Sequence, residues 1–211
     1  MTQPMITVRF ANPQYNPSTK KYKVDVEFQS DTPGQRLFGM NVRFLYDATK
    51  LLPGTNTNGK VDLVDFSPGY GIQNKASCQT STAGITLFGL PTVPVTFVNW
   101  AVQLLQVPMG LPYLPSDPFQ WLKLFAIETE TPEVVSGPFC PAFIWDCQNL
   151  GTGKGYVAGI VMTTVAELGT TPATTTSQPT QEYAQHLNWV DFPGVTARPY
   201  GAPRESDCIN I

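Results

Sequence analysis

Histidine is nearly absent from this 211-residue chain, which has His186 alone, and cysteine is scarce, at Cys78, Cys140, Cys147 and Cys208. A single imidazole excludes most nucleophile and base pairs in which histidine is the base. His186, in "AQHLNW", reads as a partly exposed strand residue. Charge is also thin, at 14% of residues with a formal net charge of −3. A nucleic-acid partner needs a clustered basic face, so this balance excludes one. No run reaches the ~20 apolar residues that a membrane-crossing helix requires. The opening "MTQPMITVRF" shows no basic segment followed by an apolar one, and both ends stop abruptly. The chain is therefore either intracellular or without its signal peptide, and it is expected to be a piece of a larger polypeptide.

What fills the space is 42% hydrophobic residues, 20 prolines, 17 glycines and many Thr, Asn and Gln. A polar but largely uncharged surface of this kind suits a secreted β protein. Period-2 alternation begins in "MITVRF" and returns in 22–28, where Tyr22, Val24, Val26 and Phe28 share one face. Between the two runs, "NPQYNPSTK" combines two Asn-Pro steps with Ser-Thr, a turn because proline fixes φ and asparagine bonds nearby backbone. Alternation recurs through Phe38, Met40, Val42, Phe44 and Tyr46, and "LLPGTNTNGK" breaks it.

"KVDLVDF", "AGITLFGL", "VPVTFVNWAVQLL", "WLKLFAIETE" and "GYVAGIVMTTVAE" add further β-branched or aromatic runs bounded by Gly or Pro. About nine strands with little helix predict an all-β fold, a single antiparallel β-sandwich spanning 1–211 with long loops. "DPFQWLKLF" is the best helix candidate, with Asp117 as cap and Pro118 as first residue. Alternation of Leu122, Leu124 and Ala126 with Trp121, Lys123, Phe125 and Ile127 favours a central strand there instead. The Thr-rich stretch 169–182 is expected to be an exposed loop, and 199–211 an irregular tail.

The cysteines leave disulfides, buried free thiols or a metal open. Structural zinc wants closer Cys or His pairs, and no Cys-x-x-Cys is present, so disulfides lead and imply an oxidising compartment. The preferred pair is Cys140 with Cys147, closing "CPAFIWDC", with Cys78 and Cys208 as a second pair. No cofactor is expected. "GTGKG" lacks the spacing and the Ser or Thr of a phosphate loop. "NTNGKVDLVD" departs from a calcium loop, leaving Asp62 and Asp65 as weak calcium candidates. No two of the 16 Asp and Glu are marked as a glycosidase pair, so catalysis is not expected. Trp100 and Trp121 lie in strongly apolar runs and read as core. Trp145, Tyr70, Tyr113 and Trp189 are the candidate ligand-binding aromatics.

The stretch "NPQYNPSTKKYKVDVEFQSDTPGQRLFGMNVRFLYDATKLL", with the segment "GMNVRFLYD" at 39–47, resembles the opening of cohesin-like and carbohydrate-binding-type β-sandwich modules. "PAFIWD", "GKGYVAGIVMTTV" and "HLNWVDFPGVTARPYGAPRESDCI" are similar to stretches of secreted, multidomain cell-surface proteins of Bacteroidetes. The resemblance implies a jelly-roll-like sandwich of about nine strands serving adhesion, scaffold assembly or glycan binding. The stretch 91–118 is longer and more apolar than a cohesin carries, so no partner-binding residue is carried over.

The sequence is thus read as a non-catalytic extracellular recognition module of a larger secreted protein. Its expected partner is a polysaccharide or a cell-surface protein, beside neighbouring domains of the same polypeptide and without membrane insertion. The apolar residues Met109, Leu111, Tyr113 and Leu114 mark where a protein partner would dock. A purely structural spacer and a glycoside hydrolase with a carboxylate pair are the alternatives.

Overall fold

A computed structural model of the chain describes residues 6–85, 93–105, 112–141, 143–145, 160–164, 187–190 and 209–211. Twelve strands lie within them: β1 (Ile6–Asn16), β2 (Lys21–Ser30), β3 (Gln35–Asp47), β4 (Val61–Val64), β5 (Tyr70–Ile85) and β6 (Val93–Leu104), then β7 (Leu122–Glu130), β8 (Pro138–Phe139), β9 (Ile144–Trp145), β10 (Ile160–Thr164), β11 (Leu187–Val190) and β12 (Ile209–Asn210). The fold is all-β, as the alternation predicts, and no helix occurs among the described residues. The strand reading of 122–130 holds over the helical one. Asp117 closes only a turn, its Oδ1 accepting from Phe119 N–H at 2.9 Å while its carbonyl accepts from Gln120 N–H at 3.0 Å.

Two five-stranded sheets form. The first runs β11-β1-β2-β7-β4; the second runs β10-β3-β6-β5, with β9 also paired to β3. Pairing is antiparallel except between β1 and β11, which are parallel. The expected sandwich was antiparallel throughout, so this pair is a departure from it. A second departure is at the C-terminus: inside the stretch expected to be irregular, β12 pairs with β8 as a small separate sheet. The loop 169–182 lies outside the described residues.

The β1–β2 hairpin follows from its turn residues. Asn16 Oδ1 accepts the N–H groups of Ser18 at 3.0 Å and Thr19 at 3.3 Å, the local bond that makes asparagine a turn former. From there β2 alternates strictly. Tyr22, Val24, Val26 and Phe28 are fully buried, while Lys23, Asp25 and Glu27 take the other face. Met40, Val42, Phe44 and Tyr46 of β3, with Val98, Trp100 and Val102 of β6, supply the facing wall of one shared core. This is a sandwich-like arrangement. In β7, 124–127 are buried on both faces, as expected for a strand flanked by β2 and β4.

The core is plugged by a residue that belongs to no strand. Phe143, in the middle of "CPAFIWDC", is fully buried. Its ring lies 5.7 Å from those of Phe10 and Tyr22 in the first sheet, and 5.9 and 5.6 Å from Phe44 and Tyr46 in the second. The Tyr22 ring is nearly parallel to it, at 15°. Such rings stabilise through large buried area plus a quadrupole contribution of about 0.5–1.5 kcal/mol per pair. One loop side chain therefore joins both sheets.

Cys78 lies in the same interior as a buried free thiol, which rules out the Cys78–Cys208 pair. Burial pushes its thiol up to about 12, so it stays protonated and unreactive at neutral pH. The reason is packing. A Cβ built on Gly54 would meet Val61 Cγ1 at 2.3 Å, the Tyr46 hydroxyl at 3.0 Å and Cys78 Sγ at 3.2 Å, so the sulfur sits in a closely filled corner.

Candidate binding face

The solvent side of the first sheet carries the densest set of polar contacts among the described residues. Strand pairing sets Arg9 opposite Glu27, and Glu27 opposite Lys123. Arg9 Nε donates to Glu27 Oε2 at 2.8 Å, with a second guanidinium nitrogen 2.7 Å from the same oxygen. The Arg9 guanidinium also lies 3.8 Å from the centre of the Trp121 ring, a cation–π contact. Trp121, expected in the core, is therefore half-buried beneath an arginine.

A β-bulge in β1 between Ala11 and Gln14 brings Asn12 into this network, with positive φ of 48°. Asn12 Nδ2 donates to Asp25 Oδ2 at 3.2 Å and to Glu27 Oε1 at 3.3 Å. Lys123 Nζ reaches Asp25 Oδ1 at 2.7 Å and Asp65 Oδ2 at 3.6 Å, and Lys23 Nζ donates to Asp65 Oδ2 at 2.8 Å. The hydrogen bond from Lys23 holds the Asp65 carboxyl below the ordinary carboxylate range, and the reciprocal bond raises the Lys23 ammonium above its own. At the far edge the hydrogen bond from Lys60, 2.8 Å long, lowers Glu130.

Next to this network lies a shallow depression of about 200 Å³, lined by Gln14, Tyr15, Asn16, Thr19, Lys21, Lys23 and Glu128. Its floor is the end of the β1–β2 ladder, where Gln14 and Asn16 stand opposite Lys23 and Lys21, and the hairpin turn closes it. Tyr15 is held by its hydroxyl, 3.1 Å from Thr131 Oγ1 and from the Val135 N–H it accepts. Lys21 Nζ is 2.5 Å from Glu128 Oε1. Amide, hydroxyl, ammonium and carboxylate groups thus line the depression, while the Tyr15 ring packs against the core beside Phe139.

Of the aromatic residues singled out from the sequence, one is in the core. Tyr70 is buried and donates its hydroxyl to the Leu37 carbonyl, so it is a core residue and not an exposed one. It turned inward because it begins β5 and pairs opposite Leu104. Tyr113 is 45% exposed, on the segment that leads to Phe119, itself 91% exposed. Leu114, its neighbour, is buried, and Met109 and Leu111 lie outside the described residues. Trp145 stands opposite Phe44 on β9 and Trp189 opposite Val8 on β11, on different sheets. Trp100 is fully buried as expected, its Nε1 donating to Asn56 Oδ1 at 3.1 Å.

Asp62 and Asp65 face lysines rather than each other, Asp62 lying 3.5 Å from Lys75 Nζ. No group of three metal-ligating side chains occurs among the described residues. His186, the "GTGKG" turn, Cys147 and Cys208 lie outside them. The ionic network escaped the sequence reading, although one signal for it was present: charged 21, 23, 25 and 27 alternate with the buried stripe of β2. No known protein family, no curated protein and no solved structure matches the chain.

Proposed function

We propose that this chain is a non-catalytic extracellular recognition module that binds a polysaccharide on the outer face of its first sheet. The observation that carries the reading is the depression bounded by Gln14, Tyr15, Asn16, Thr19, Lys21, Lys23 and Glu128. Sugar hydroxyls need donors and acceptors held at fixed spacing. A strand-based site whose tyrosine and asparagine are already bonded to backbone supplies that with little ordering cost.

The carboxylates support binding over hydrolysis. A glycosidase needs one carboxyl kept protonated near neutral pH beside a second one. Here Glu27 is committed to Arg9, Asp25 to Lys123, and Glu128 to Lys21, while Asp65 and Glu130 are shifted downward. Each of these groups is held by a lysine or arginine. A second reading, adhesion to another protein, is favoured by Phe119 and Tyr113, two exposed aromatics on one loop.

Electrophoresis through gels containing soluble polysaccharides tests both. Retardation by one glycan class, lost in Gln14→Ala and kept in Phe119→Ser, is the expected result. Absence of retardation across neutral, acidic and amino-sugar polymers would overturn glycan binding at this face. Capture of a cell-surface protein by the wild type and not by Phe119→Ser would establish the adhesion reading instead.

A further inference from the structure

We infer that Asn58 is a site of spontaneous covalent modification, converting by its own chemistry to aspartate and isoaspartate, and that the conversion loosens the loop which satisfies the buried indole of Trp100. The segment is "LLPGTNTNGK", the break between β3 and β4. Its Asn58 and Gly59 are both exposed.

Ring closure within an asparagine needs an unengaged backbone nitrogen, an electrophilic amide carbon and room for both. The nitrogen is that of Gly59, whose N–H makes no hydrogen bond with any described residue. Gly59 has a φ of +67°, and a Cβ built there would meet nothing within 4 Å, so base and water reach it from an open side. The carbon is Asn58 Cγ. Its Oδ1 accepts two backbone N–H groups, from Thr55 at 2.9 Å and from Lys60 at 3.1 Å. Two such donors stabilise the negative charge that the oxygen takes on when its carbon is attacked, as an oxyanion hole does. One bond opposes departure of the amide: Nδ2 donates to the Pro53 carbonyl at 2.9 Å. That bond is exposed, and water replaces it at small net cost.

Other asparagines lack this combination. Asn12 and Asn16 precede Pro13 and Pro17, which have no N–H to give up. Asn56 precedes Thr57, and both ends of its amide are engaged: Nδ2 donates to the Lys75 carbonyl and Oδ1 accepts from Trp100 Nε1, each at 3.1 Å. Asn41, Asn74 and Asn99 lie inside β3, β5 and β6, where strand pairing fixes the backbone.

Base removes the Gly59 N–H proton, and the nitrogen attacks Asn58 Cγ. The new N–Cγ bond forms, the Cγ–Nδ2 bond breaks, and Nδ2 takes up a proton and leaves as ammonia. A five-membered succinimide remains. Water then adds at one of its two carbonyl carbons and opens the ring. One opening gives aspartate; the other reroutes the main chain through the former side-chain carbon and gives isoaspartate. One water enters and one ammonia leaves, with no oxidant or reductant.

In both products a carboxylate replaces the amide, and nothing is left to donate to the Pro53 carbonyl. The same turn carries Asn56, which holds the Trp100 indole N–H. Trp100 is fully buried, so a displaced Asn56 leaves that donor without a partner.

Prolonged incubation of the full chain in mildly alkaline buffer, followed by tryptic mapping, tests the site. The peptide 51–60 is expected to gain about 1 Da, placed at residue 58 by fragmentation, with an isoaspartate fraction that an isoaspartyl methyltransferase labels. No gain in the folded chain over the time in which a synthetic peptide 51–60 is half converted would overturn the site, and so would a gain placed at Asn56. As a second measurement, the modified chain, separated by its extra negative charge on anion exchange, is expected to melt roughly 2–4 °C below the unmodified one. Equal melting temperatures would overturn the effect on the loop.

Discussion

The two faces of β2 are built from neighbouring residues and obey different physics. Tyr22, Val24, Val26 and Phe28 point inward and meet a full set of apolar neighbours, among them Phe143 and Phe125. Lys21, Lys23, Asp25 and Glu27 point outward into a lattice of ion pairs. Area removed from water stabilises the inner face at about 25 cal/mol per Å², with no charge there for pH to titrate. On the outer face each pair sets Coulomb attraction against desolvation and side-chain ordering, and solvent screens the pairs of Lys21 and Lys23 more than those of the buried Asp25 and Glu27. The comparison separates a face that holds the fold from a face free to meet a ligand.

The largest expected effect lies inside. Phe143→Ala should cost about 3–5 kcal/mol in urea unfolding, because the cavity would open between both sheets at once. A loss smaller than that of any outer-face variant would invert the comparison. Glu27→Ala comes next, at about 1–3 kcal/mol, since it leaves Arg9 and Asn12 without the acceptor that both use. Part of that loss should be recovered in a Glu27→Gln variant, which keeps an acceptor oxygen. A Glu27→Ala protein as stable as wild type would show that Trp121 alone holds Arg9.

The smallest effect is the most diagnostic in pH. Asp65 is lowered and Lys23 raised by their mutual hydrogen bond, and both side chains are partly open to solvent. The Asp65 contribution is present above the ordinary carboxylate value near pH 3.9 and lost as pH falls through its depressed one. The Lys23 contribution is present below about pH 10.4 and lost as pH rises through its raised value. Lys23→Met should therefore melt at most a degree or two below wild type near neutrality, with no difference at either extreme. A difference that persists at pH 2 would mean that Lys23 acts through packing.

Much of the architecture was legible as pattern. Strict alternation at 22–28 and through Met40, Val42, Phe44 and Tyr46 named strands and their buried faces, because a period of two places every second residue on the core side. Residues that break or lack the pattern were harder to read. Tyr70 sits beside Gly69 and Gly71 in what reads as an exposed turn, yet its ring is buried and its hydroxyl bonded to Leu37. Phe143 lies in a segment without periodicity, and nothing local distinguishes a ring that fills the core from one that faces water.

The sequence by itself therefore determined the class of fold, the inward stripes and the scarcity of histidine. Tertiary structure decided which carboxylate meets which cation, that Phe143 closes the space between the sheets, and that the C-terminal strand returns to β8. The physical reason is range. Strand periodicity is written in residues two apart, whereas each of these contacts joins residues that only the folded sheets bring together.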